Sequence, residues 1–393
     1  MDPEDVAQRG LDGLATQLYS IAGGQAAAAS FPVRLIQDPA TARAILTDHA
    51  AFPKNYDFLS TFADGRFTAN DPDWTRRAKL TQSSYARALG SFDSAAMTEI
   101  YRLHLAARAG GAGEALYQAF IDAALAVVSR VLGLSRPITW HQDWLVRVRR
   151  LLALRQWIGF AGAQAAADLA QVDRRLVALR REILDLWAGD AALRALLDDM
   201  ARRGRDIPDF DAGEELIQNI VASSETTASS LMWAVHVLAA RPDLAVWLRA
   251  GGELEQAAFI AELLRLFPPV PFVTRYSRQL CEIGAETFAA GEPLAISFVS
   301  LHCDPRRWSR PLEFNPARDE WAPDAPPLAS YFPFSIGARV CGGMKIARAE
   351  LRAGLEALVS TFDIQAGPNS SIFSYGLSLR PTTDAMLVER PRR

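Results

Sequence analysis

Cysteine is scarce in this chain: Cys281, Cys303 and Cys341 are the only three among 393 residues. A small odd set excludes a disulfide framework and fits a reducing compartment. No two lie at C-x-x-C spacing, and a zinc site from Cys281, Cys303 and His302 would need unusual ligand spacing. Charge of one sign is also missing. With a formal net charge of −3, no global basic field draws in nucleic acid. The start, Met1-Asp2-Pro3-Glu4-Asp5, is acidic and lacks the basic-then-apolar order of a leader. Residues 220–240 come closest to a membrane span, but Glu225, His236 and many Ser and Thr residues read better as a buried central helix. There is no glycine fingerprint for a nucleotide, no internal repeat and no low-complexity linker. The expectation is one soluble domain over residues 1–393.

Half of the residues are apolar, ample for a sizeable core. Residues 1–30 read as a loose first helix, Phe31–Ile36 as a short strand and Asp38–Leu46 as a capped helix. Tyr56 to Asp71 is irregular and aromatic, the composition of a loop packed over something apolar. Residues 73–205 carry apolar positions at helical spacing, such as Leu116, Phe120, Ala124, Val127 and Val131, with 190–208 read as a charged surface connection. Asp211 to Ala240 forms a long helix, opened by a capping-box pattern (Asp211, Glu214) and closed by Arg241-Pro242. Pro368 to Leu387 reads as a terminal hairpin.

Three stretches carry chemistry. In residues 333–351 Cys341 sits among Gly337, Gly342 and Gly343 and runs into a helical pattern. A helix starting just beyond it points N–H groups at the sulfur and favours thiolate, the form a metal ligand needs. The alternative is a buried structural cysteine beside a helix cap. In the long helix, Ala222 and Thr226 share a face, while Glu225 is a carboxylate that burial penalises unless it has a partner or a task. There the alternative is hydroxyl side chains bonding back to the preceding turn. Glu262 and Arg265, three apart on a helix, can pair, as many exposed pairs do.

Taken together, Phe334-x-x-Gly337-x-Arg339-x-Cys341-x-Gly343 with Ala347 and Glu350, the Ala222…Glu225-Thr226 helix, and Glu262-x-x-Arg265 followed by Arg275 and Arg318 resemble the cytochrome P450 family. The resemblance covers nearly the whole chain, and its specific motifs lie between 211 and 351. It implies a mainly α fold with small β-sheets, haem b held between the long central helix and the cysteine helix, and Cys341 as axial iron ligand. It implies that Arg275, Arg339 and Trp74 hold the haem propionates and that Phe334, Gly343 and Ala222 lie against the cofactor. Glu262, Arg265 and Arg318 form a structural triad. Thr226 hydrogen-bonds oxygen and Glu225 delivers protons. Phe62, Phe67, Trp157 and Phe160 are expected at the substrate pocket, together with Val270, Phe272 and Phe373. The implied activity is a monooxygenase of a bacterial, cytoplasmic, monomeric type that acts on a terpenoid, steroid, fatty acid or aromatic natural product. It takes O2 and electrons from a separate donor, a ferredoxin with its reductase. Arg76, Arg77, Lys79, Lys345, Arg348 and Arg352 are the expected docking face for that donor. Two positions depart from the family pattern: Ser223 stands where glycine is preferred, and Ala78 where a basic residue is usual. The rival readings are a haem-thiolate isomerase, dehydratase or peroxide-driven enzyme, and a non-catalytic haem sensor.

Overall fold

The longest element is the helix Ala212–Ala240, whose 29 residues make a rod of about 45 Å at ~1.5 Å per residue. Asp211 caps it by accepting the Glu214 N–H at 2.9 Å. The reciprocal half of the expected box does not form, because Glu214 instead accepts the Asp64 N–H and pairs with Arg180, each at 2.7 Å. The helix is apolar around most of its circumference, burying Leu216, Ile220, Leu231 and Val235, as a helix enclosed on all sides requires. This computed structural model describes residues 2–81, 93–161, 166–322, 328–368 and 370–390.

Helices surround this rod. Glu114–Val131 runs along it, and Met344–Thr361, which follows Cys341, crosses it at Gly354. A Cβ on Gly354 would stand 2.6 Å from Leu231, so the missing side chain lets the two helices approach closely. Trp233 on the rod stacks on Phe267, ring centres 4.0 Å apart, tying in the end of the helix Glu253–Leu266.

The strands are short, as predicted for a mainly α fold: β1 (Arg34–Ile36), β2 (Phe272–Tyr276), β3 (Cys281–Ile283), β4 (Glu286–Phe288), β5 (Pro293–Ser297), β6 (Phe362–Gln365), β7 (Ser370–Tyr375), β8 (Leu379–Thr383) and β9 (Met386–Glu389). β5 is central in a three-stranded sheet, parallel to β1 and antiparallel to β2. The expected hairpin is β7–β8, and its turn lies against the central helix, where Ser378 and Ser229 hydroxyls are 2.7 Å apart.

Two readings are corrected. The N-terminal segment is a well-packed helix, Pro3–Ala22, that buries Ala7, Leu11, Leu14 and Leu18; Arg150 and Arg175 pair with its first-turn acids. Residues 190–208 are mostly the helix Ala191–Gly204, because Asp190 caps it and a narrow stripe of Leu193 and Met200 is enough to bury one face. Among the described residues, no single helix is long and apolar enough to cross a membrane.

Candidate active site

The region that carries the cysteine is braced from behind by ion pairs. Glu262 and Arg265 are fully buried, paired at 2.7 and 2.8 Å, and Arg318 donates to Glu262 at 2.9 Å. Trp321 Nε1 and the Asn315 N–H also donate to this carboxylate. Arg265 in turn donates to the carbonyls of His302 and Pro311. Burial works against the charged form of Glu262, but Arg265, Asn315 and Arg318 outweigh it and hold the carboxyl below its ordinary value. Cys303 lies 3.9 Å from Arg265 in this core, and no cluster among the described residues is arranged to hold a zinc ion.

Cys341 follows a tight loop. Gly337 adopts φ +73°, and a Cβ there would meet Thr47 at 3.2 Å, which fixes glycine at that position. The Cys341 N–H donates to the Phe334 carbonyl at 2.9 Å. Burial pushes the thiol up, while N–H groups of Gly343 and Met344 and the Arg66 charge pull the other way. The residue is nonetheless exposed at its surface. Phe334 packs beside it under Arg348, whose guanidinium lies 5.3 Å from the ring.

On the central helix Ala222 is exposed although its neighbours Val221, Ser224 and Glu225 are buried, so a gap opens along this face mid-helix. Thr226 lies one turn on, and its Oγ1 donates to the Ala222 carbonyl at 2.9 Å; Ser223 bonds back to Ile220 in the same way. Both the groove and the back-bonding readings therefore describe this helix. Glu225 points elsewhere. Its carboxylate accepts from Tyr117 at 2.7 Å and lies 3.6 Å from Arg149, which also pairs with Glu114.

Basic groups gather beside the cysteine loop. Arg339 donates to Asp71 at 3.0 Å and to the Ala69 carbonyl, and its guanidinium sits 4.6 Å from the Trp74 ring centre. Arg275 is buried and spends one N–H on the Thr274 carbonyl. Lys54 and Arg66, which sequence reasoning missed, join this group. Burial and the charges of Arg339, Arg275 and Arg66 push the Lys54 ammonium well below its ordinary value. Tyr117 was missed as well, being one polar tip within the apolar stripe of Leu116 and Phe120.

The expected pocket residues do not converge. Phe67 is exposed and stacks on Tyr56 at 5.1 Å. Phe62 and Phe272 are buried in the core, and Phe373 stacks on Tyr19 at 4.5 Å. Trp157 covers Gly10 of the first helix, and Val270 packs on the small core around the three-stranded sheet. The side chain of Phe160 lies outside the described residues. The basic docking face is also thinner than expected. Arg77 is buried against Glu215, and Arg352 pairs with Glu253; Arg76, although paired with Asp73, is exposed, as are Lys79, Lys345 and Arg348.

Residues 256–385 match the family model described as Cytochrome P450. A Mycobacterium tuberculosis protein named cytochrome P450 137 is 31% identical over 232 residues, covering 58% of this chain and 47% of that protein. A flavonoid 3'-monooxygenase of Petunia hybrida is 25% identical over 276 residues, 60% of this chain and 54% of the other. The chain spans about half the length of these curated relatives. The solved structure of cyanobacterial CYP120A1 with retinoic acid bound superposes with a TM-score of 0.74 at 19% identity, covering 91% of this chain and 89% of that one. The cysteine loop, the family model over residues 256–385, the curated relatives and the shared fold all support a cytochrome P450.

Proposed function

We propose that this protein is a haem-thiolate monooxygenase that transfers one oxygen atom of O2 to a hydrophobic small molecule, with electrons from a separate donor protein. The carrying observation is the pairing of one accessible cysteine in a glycine loop with an exposed Ala222–Thr226 face on the central helix. The donor set suits haem. Cys341 offers a single thiolate, and four cations (Lys54, Arg66, Arg275, Arg339) stand near one carboxylate, Asp71. Guanidinium forks match carboxylates, as two propionates require. Cys341 would supply the thiolate that holds the iron, Arg275, Arg339 and Trp74 would hold the propionates, and Phe334, Gly343 and Ala222 would lie against the cofactor. When bound, a thiolate-ligated haem favours O–O cleavage over reversible O2 binding.

The chain's own residues position and move protons. Thr226 Oγ1 keeps its hydrogen on the Ala222 carbonyl and leaves lone pairs towards the open face, so it accepts there, and it donates once that bond turns away. Glu225 is buried and engaged elsewhere. Tyr117 and Ser378 hydroxyls contact its Oε2, while Oε1 has no hydrogen-bond partner. Carrying a proton to Thr226 requires the carboxyl to swing from Tyr117, with Arg149 released at the same time. The substrate class is inferred from the aromatic loop that carries the exposed Phe67; a terpenoid, steroid, fatty acid or aromatic molecule suits such a surface. Three free cysteines fit a reducing, cytoplasmic setting.

The test is product formation from a panel of such compounds, after spectral titration of the ferric protein has found one that binds. Product that requires both O2 and an external reductant supports the monooxygenase reading. Turnover with peroxide alone, or rearranged product without reductant, moves the protein to the non-oxygenase class. Haem uptake without turnover of any compound that binds favours a sensor.

A further inference from the structure

Arg66 stands at the meeting point of three elements. Its backbone N–H is held by the buried Glu215 carboxylate at 3.0 and 3.2 Å, and the next N–H, of Phe67, by Gln218 at 2.9 Å. Gln218 returns a bond to the Ala63 carbonyl, and a Cβ on Gly65 would stand 2.6 Å from its side-chain oxygen. Residues 63–68 are thus clamped to the central helix, and the Arg66 side chain leaves a fixed backbone. It reaches across to Thr81 Oγ1 at 2.8 Å, lies 5.8 Å from the Trp74 ring centre, and comes within 2.9 Å of where a Cβ on Gly342 would be. Gly342 is the residue after Cys341, so only glycine leaves room for this guanidinium.

Among the described residues no carboxylate forms an ion pair with it, although Glu215 lies near enough to feel its charge. Glu215 is spent on Arg77 and on the loop N–H groups, and Asp71 on Arg339 and His49. Among the described residues Lys54, Arg66 and Arg275 have no ion-pair partner; Lys54 donates to the carbonyls of Arg66 and Phe67. Position 78, on the adjoining helix, is a buried alanine and contributes no charge. Positive charge gathered this closely, which already pushes Lys54 towards its neutral form, is stabilised by an anion beside it.

We propose that Arg66 binds a carboxylate at the edge of the prosthetic group, set over the cysteine loop by the central helix, and so supplies the cation absent at position 78. The proposal rests on the haem-thiolate reading. The role proposed for Arg66 is in the cofactor's retention, beside the pull its charge exerts on Cys341.

The experiment times haem loss from the holoprotein to excess apomyoglobin for wild type, Arg66→Leu and Arg66→Lys. It is repeated with haem dimethyl ester, whose propionates carry no charge. With haem, Arg66→Leu should lose cofactor about tenfold faster or more, the scale of one charge-assisted hydrogen bond, with Arg66→Lys in between. With the ester, all three should lose it at the same rate. Equal loss of haem from wild type and Arg66→Leu overturns the proposal, as does a penalty that persists with the ester. If Arg66→Leu is not recovered loaded, the same comparison between wild type and Arg66→Lys decides. A wild type that takes up no haem overturns the haem-thiolate reading itself, an outcome distinct from the others.

Discussion

The Tyr117 hydroxyl donates a 2.7 Å hydrogen bond to Glu225, the buried neighbour of Thr226 on the central helix. The guanidiniums of Arg149 and Arg380 lie 5.1 and 4.3 Å from the Tyr117 ring centre, and both pair with Glu114. Glu225 and Thr226 are adjacent in sequence yet look into different surroundings. The acid belongs to a buried ionic network, and the hydroxyl to an open groove.

Thr226→Ala removes the hydroxyl from that groove and leaves the network intact. Reductant should still be consumed, but with product down about tenfold or more and peroxide in its place. Simultaneous assay of reductant, peroxide and product checks this. Normal coupling in the variant would take Thr226 out of the mechanism.

Tyr117→Phe deletes the donor to Glu225 without emptying the space. The carboxyl loses its strongest anchor, so its proton traffic should change while Thr226 stays in place. The expected result is an altered pH profile of turnover with haem content unchanged. An identical profile would show that the Tyr117 bond only packs the helix pair.

Glu262→Ala would leave two buried guanidiniums facing each other without their carboxylate. Breaking a buried pair in this way costs about 3–5 kcal/mol, so the variant should be recovered poorly and melt well below wild type. Glu262→Gln keeps the shape and should be milder. Thermal melts of both variants check the order, and equal melting of Glu262→Ala and wild type would mean the network contributes nothing.

Local patterns were legible and long-range partners were not. The glycine loop around Cys341 and the long helix are written within a few residues, so their spacing exposes them, whereas Glu262–Arg265 stood out from ordinary helix pairs only through the resemblance. Arg318 needed the resemblance, since it meets Glu262 from 56 residues away. Arg77 read as surface charge because Glu215, which buries it, is 138 residues distant. Arg66 and Lys54 have no local partner pattern at all; only the folded loop brings them together. The aromatic residues read as pocket lining failed for a related reason. Aromatic density shows that a segment packs, not against what, and Trp157 and Phe373 pack on the first helix.

Cys341→Ser removes the one thiolate the loop presents. The variant should keep its fold, since the sulfur packs against little beyond the loop, but the ferrous carbonyl form should lose the red-shifted Soret band of thiolate ligation. Oxygenation should vanish with it. A variant that still oxygenates substrate would overturn the axial role.

Glu350 supplies a pH dependence with a definite sign. It is buried against Tyr101, which donates to it at 3.1 Å, and burial pushes its carboxyl up to about 8 from an ordinary 4.5. Below pH 4.5 the group is protonated in folded and unfolded chains alike, and its contribution to stability is fully present. As pH rises from there through about 8, the unfolded chain releases the proton while the folded one retains it, so stability falls across that window and levels off above it. Glu350→Gln keeps an oxygen for Tyr101 and cannot ionise. Melting temperatures measured across the same window should fall for wild type and stay flatter for the variant, which becomes the more stable protein at the alkaline end. Parallel curves would mean that water or a local rearrangement already lets Glu350 ionise in the folded protein, and that this carboxyl exerts no pH control on the packing of Met344–Thr361 against Ser94–Ala106.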